Sequence, residues 1–191
     1  MGFFLKFFNN DSYVLLSEIV IASILLIYFI QSPILNGENP SKDIVINEGI
    51  IYRCGENSPF TGKVLDTLSN NMILEFDVVN GLKNGEFLVS TLNGVLTTCG
   101  YIENNKNIGT WKYFFESGQI ESTGEFYNDK PNGKWTWYHE NGSVKCEGIY
   151  VNGKQEGKWM SYDDSGNPVQ IVNYSKGEEI TKTQIEKHQS I

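Results

Sequence analysis

Polar and apolar residues alternate with a period of two over several short stretches of this chain. Between positions 119 and 126, Ile120, Ser122, Gly124 and Phe126 share one parity, and Gln119, Glu121, Thr123 and Glu125 share the other. The next such stretch sets Val144, Cys146, Gly148 and Tyr150 against Ser143, Lys145, Glu147 and Ile149. This alternation predicts half-buried antiparallel strands, apolar on one face and wet on the other. A different pattern fills Tyr13 to Ile30, YVLLSEIVIASILLIYFI, where Glu18 is the one charge in an apolar run. At about 1.5 Å per residue that run spans roughly 27 Å as a helix, close to a hydrocarbon core of about 30 Å.

Each alternating strand follows an aromatic one, and the two recur together. Gly85, Gly109, Gly133 and Gly157 stand 24 residues apart, followed two positions later by Phe87, Trp111, Trp135 and Trp159. Gly94, Gly118, Gly142 and Gly166 close the aromatic segment, each preceded by Asn or Ser. Asn-Gly is a strong hairpin signal because both residues tolerate positive φ. A second turn then leads into the next unit, with Gly81, Gly153 and Gly177 in register and Asn105 and Asp129 in the equivalent places. Gly100, Gly124 and Gly148 recur inside the alternating strand, where glycine marks a bend or room for a neighbouring ring. The Trp of each unit is the natural partner, so each indole is expected to pack over such a glycine.

The rest of the chain reads around this array. Residues 1–35 are expected to be a single-pass membrane anchor, with Phe3, Phe4, Phe7, Phe8 and Tyr13 as an interfacial belt. A cleaved signal peptide is the other reading, but Lys6 alone makes a thin basic region and no small-residue cleavage site follows Ile30. Lysines on the two sides nearly balance, and the terminal amine tips the array toward the extracytoplasmic side. Residues 36–58 contain a linker and a first hairpin, Ile44–Ile46 and Ile50–Tyr52 around Asn47-Glu48-Gly49. Residues 59–177 form the array, whose first unit from Gly62 lacks a Trp, as expected of a terminal repeat. Residues 178–191 are a polar tail, either a short helix over the last hairpin edge or disordered.

The motif G-x-W-x-x-Y/F, closed by glycines at fixed distances, resembles the MORN-type repeat. More closely, it resembles the bacterial variant found in antitoxin-like MORN-variant repeat proteins. Gly133, Trp135, Tyr138, Asn141, Gly142, Gly148, Tyr150 and Gly153 carry the match in the best unit, and Pro59-Phe60-Thr61-Gly62 resembles that family's opening motif. The resemblance covers Pro59 to Gly177 in about five units. It departs at Gly85–Gly94, which lacks Trp and Tyr, and at Val172, which replaces the strand glycine. It implies an all-β, elongated and twisted antiparallel sheet of successive hairpins, here behind one transmembrane helix. It implies a scaffold, with no single activity attached.

Composition narrows the function. A net charge of −8 disfavours nucleic acid, whose phosphates demand Lys and Arg. Cys54, Cys99 and Cys146 have no closely spaced mates, and His139 and His188 are the only histidines, so no metal site is expected. No catalytic triad, phosphate loop or dinucleotide fingerprint occurs, and neither enzymatic activity nor a small-molecule cofactor is expected. What remains is surface. The aromatic strands carry rings of both parities, Trp111, Tyr113 and Phe115 against Phe114, and Trp135 and Trp137 against Tyr138. A bulge re-aims some of them, neighbours cover them, or they stand exposed as a row for a protein or a sugar ring. Tyr113, Trp137 and His139 are the places where a contact is expected, because the repeat framework does not demand them. The expected function is a membrane-anchored interaction scaffold. The alternatives are an antitoxin-like binder of a cognate toxin and an envelope carbohydrate-binding module.

Overall fold

A computed structural model describes residues 43–68 and 71–185, and the anchor expected over residues 13–35 lies outside them. Among the described residues no helix is long and apolar enough to cross a membrane.

All described elements are strands. A leading hairpin pairs β1 (Ile44–Asn47) with β2 (Ile50–Arg53) around Glu48 and Gly49, as expected. Everything after it belongs to one antiparallel sheet in which each strand lies beside its neighbours in sequence. Its strands are β3 (Gly62–Thr67), β4 (Met72–Val79), β5 (Leu82–Thr91), β6 (Leu96–Glu103), β7 (Lys106–Phe114) and β8 (Ile120–Tyr127). They continue as β9 (Lys130–Tyr138), β10 (Val144–Val151), β11 (Lys154–Tyr162), β12 (Pro168–Ser175) and β13 (Glu178–Gln184). Glu178–Gln184 is therefore neither the helix nor the disordered tail expected of it, but the closing strand. Polar on both faces, it has no alternation to betray it, yet it supplies backbone partners to β12, which would otherwise be an edge.

The aromatic strands start earlier than their glycines suggest. In β7, Gly109 sits in mid-strand with a φ of 64°, and β6 residues Cys99 and Tyr101 pair with Lys112 and Ile108. Gly109, Thr110 and Trp111 therefore face the single residue Gly100. The same bulge recurs in β11, where Gly157, Lys158 and Trp159 face Gly148. A left-handed backbone in mid-strand suits glycine best, and the bend it makes throws the indole inward.

The two kinds of turn also differ. The turn into each aromatic strand is a tight two-residue turn with both φ positive, as at Asn104-Asn105 and Asn128-Asp129. Its second residue donates its N–H back to the preceding unit, Asn105 to Lys83 O at 2.9 Å and Asp129 to Asn107 O at 3.1 Å. The Asn141-Gly142 turn is longer than expected. Only Gly142 has positive φ, while Asn141 Oδ1 accepts the Ser143 N–H at 2.9 Å.

The core is a ladder of rings on one face. Trp111, Trp135 and Trp159 are fully buried, and a Cβ added to Gly100, Gly124 or Gly148 would run into the respective indole. Each indole thus lies over a glycine, as expected. Between them stand Phe126 and Tyr150, edge-on to Trp135 at 5.2 and 6.0 Å. At the amino end Phe76 and Phe87 stack at 6.4 Å in place of the Gly–Trp pair. At the carboxyl end β13 carries no ring, and Val172 is buried where the glycine would be.

Candidate interaction face

The alternating strands sort their side chains cleanly. In β10, Cys146, Gly148 and Tyr150 are buried, while Ile149 and Val151 point to the outer face and are half exposed. The inner parity of β8 buries Ser122, Gly124 and Phe126, and that of β6 buries Thr98, Gly100 and Ile102. The outer face is consequently where this sheet meets its surroundings.

The residues singled out from sequence fall mostly on the inner face. Trp137, expected as a surface contact, is 6% exposed. Its ring lies 5.6 Å from both Trp135 and Trp159. It pairs with Cys146 as Trp135 pairs with Gly148, two residues away in unbroken register, so both indoles share the inner face. Trp137 is thus part of the core. Tyr113 stacks on Trp135 at 6.3 Å, and burial pushes its phenol well above the ordinary tyrosine range. His139 is half buried, its Nε2–H donating to Tyr162 O at 3.0 Å. Beside it Asn141 Nδ2 donates to Asp164 O at 2.7 Å, and Ser143 Oγ reaches the same carbonyl at 2.9 Å. These three side chains fasten one hairpin turn to the next.

The exposed apolar residues are others. Leu65 and Ile180 are exposed on the two edge strands of the long sheet, and Leu92 in a turn. Along the alternating strands Tyr127 is 68% exposed and Tyr101 51%, with Ile149, Val151 and Val79 close behind. All five occupy the last outward positions of the alternating strands, beside the tight turns. Tyr127, Val151 and Val79 share one register position, and Tyr101 and Ile149 share another. Their setting is polar: Lys134 Nζ pairs with Glu147 at 2.8 Å, and the Tyr162 hydroxyl donates to the same carboxylate at 3.0 Å. The Lys134 hydrogen bond holds the Glu147 carboxyl below its ordinary range. A signal for this face exists in the sequence, since each of these residues is an apolar exception on the polar parity of its strand.

Among the described residues no His, Cys, Asp and Glu cluster could hold a metal ion. Cys54, Cys99 and Cys146 are all unpaired. Cys146 lies 3.7 Å from Ser161 Oγ, and burial pushes its thiol up to about 11.

Residues 108–129, 131–152 and 155–176 each match the family model described as MORN repeat variant. No curated protein matches the chain. Among solved structures, a TarM mutant from S. aureus in complex with Fondaparinux, alpha-GlcNAc-glycerol and UDP is similar at 10% identity and a TM-score of 0.29. A GtfA/B complex bound to UDP and GlcNAc is similar at 9% identity and a TM-score of 0.23. The matches cover 91% of this chain but only 32% and 38% of those chains, and neither is close enough to carry a fold or an activity across.

Proposed function

The chain is a MORN-type repeat protein, and we propose that it is a non-enzymatic scaffold, held at a membrane by residues 13–35, whose repeat sheet offers its outer face to a protein partner. The observation that carries this reading is the recurrence of exposed apolar residues, Tyr101, Tyr127, Ile149 and Val151, on the parity where the pattern demands polar ones. Apolar side chains kept in water at repeated register positions cost solubility without serving the core, and aromatic residues are favoured at the centre of protein contacts. The indoles, which would make the best platforms for a sugar ring, are buried in the ladder and favour the protein reading over the carbohydrate one.

The test compares capture by the full chain with capture by a Tyr127→Ser, Ile149→Ser variant of equal thermal stability. A partner retained by the first and lost by the second supports the proposal. Identical capture profiles would remove the outer face from consideration. A reporter fused to the carboxyl terminus fixes the side of the membrane, and an active extracytoplasmic reporter excludes the neutralisation of a cytoplasmic toxin.

A further inference from the structure

The three central indoles are equivalent in packing but not in hydrogen bonding. Trp135 Nε1 donates to Glu125 O at 3.1 Å. Trp111 Nε1 and Trp159 Nε1 are equally buried and have no hydrogen-bond partner among the described residues. The same two units carry a second orphan each. Asn107 is 0% exposed, with neither Oδ1 nor Nδ2 hydrogen-bonded among the described residues, and the Gln155 Nε2 amide is likewise buried with no partner among them. The position they share in the repeat is occupied by Pro131 in the unit where the indole is satisfied.

Register places each amide next to its indole. Asn107 pairs with Ile102, whereas Trp111 covers Gly100, so the two side chains flank the peptide of Tyr101. Gln155 pairs with Tyr150 while Trp159 covers Gly148, flanking the peptide of Ile149. In the middle unit Pro131 pairs with Phe126 and Trp135 covers Gly124, and the peptide between them is that of Glu125, the acceptor of the Trp135 N–H. A buried N–H or amide without a partner is costly, and native cores satisfy such groups by trapping water that makes about three hydrogen bonds.

We infer that the core contains two internal water-binding sites, one at Asn107 and Trp111 and one at Gln155 and Trp159, with a dry joint at Pro131 and Trp135 between them. The water at the first site accepts the Trp111 N–H and donates to Asn107 Oδ1. At the second it accepts from both the Trp159 indole and the Gln155 amide. Pro131 has no side-chain polar group to hydrate, and there the indole takes the backbone carbonyl directly.

Magnetisation transfer from water to the indole N–H groups of the full chain, labelled with ¹⁵N-tryptophan, tests this. Long-lived water should give cross-peaks at Trp111 and Trp159 and none at Trp135. Cross-peaks at all three indoles, or at neither Trp111 nor Trp159, would overturn the assignment. An Asn107→Leu variant should lose the Trp111 cross-peak and keep that of Trp159; persistence at Trp111 would equally sink it. Should that variant fail to fold, the three-indole comparison within the native chain still decides.

Discussion

The middle of the array and its two ends solve one packing problem differently. In the middle, Gly100, Gly124 and Gly148 clear space for Trp111, Trp135 and Trp159. At the amino end the glycine position holds Phe76 and the Trp position Phe87. There Lys83 lies 5.2 Å over the Phe76 ring, its ammonium held below the ordinary lysine range by burial. At the carboxyl end Val172 fills the glycine position, and β13 has neither a mid-strand glycine nor a ring. Its bulge against β12 shrinks accordingly, with Asn173 on Thr181 and Tyr174 on Glu179, so that Ile180 alone is left over. The lesson is that strand glycine and indole form a single unit of volume. Where one is replaced, the other changes too, because a close-packed core admits neither a clash nor a void.

Breaking the pair in the middle should have the largest effect. Trp135→Ala is expected to lose about 3–5 kcal/mol of stability in denaturant unfolding, since a buried ring leaves a cavity behind. Gly124→Val, which drives two methyl groups into the Trp135 indole, should cost about 1–3 kcal/mol or more. The double variant imitates the carboxyl end, and its loss should fall short of the sum by about 0.5–3 kcal/mol; strict additivity would show that the two positions are not coupled. Val172→Ala, at the end, should cost about 1.6 kcal/mol, the worth of two buried methyl groups. Asn141→Ala removes its bonds to the Asp164 carbonyl and the Ser143 amide, and about 0.5–1.5 kcal/mol is expected to go with them. The smallest change is chemical. At pH 8 a thiol reagent should label exposed Cys54 in the folded chain and leave Cys146 untouched, because the buried thiol ionises only near 11. Labelling of Cys146 at the Cys54 rate would place it outside the core.

Much of this was legible in one dimension. The period, the alternation of Ser122, Gly124 and Phe126, and the indole-over-glycine packing are local regularities that a repeat restates until they are unmistakable. The departures at Phe87 and Val172 were visible too, though not their meaning, which depends on the strand lying alongside. Tyr127 and Ile149 also announced themselves as apolar residues of the wrong parity. They were outweighed by richer aromatic stretches such as Trp135–Tyr138.

By itself, then, the sequence determined an all-β chain of hairpin units and the partners Gly and Trp within each. Tertiary structure alone decided that Trp137 is core, that Glu178–Gln184 is a strand, and that the mid-strand glycines sit in bulges. The physical reason is that each depends on the strand alongside. Trp137 shares the face of Trp135 and is covered by the neighbouring Trp159 indole, and Glu178–Gln184 is held by backbone pairing to β12. A bulge exists only as a mismatch in residue count between two paired strands.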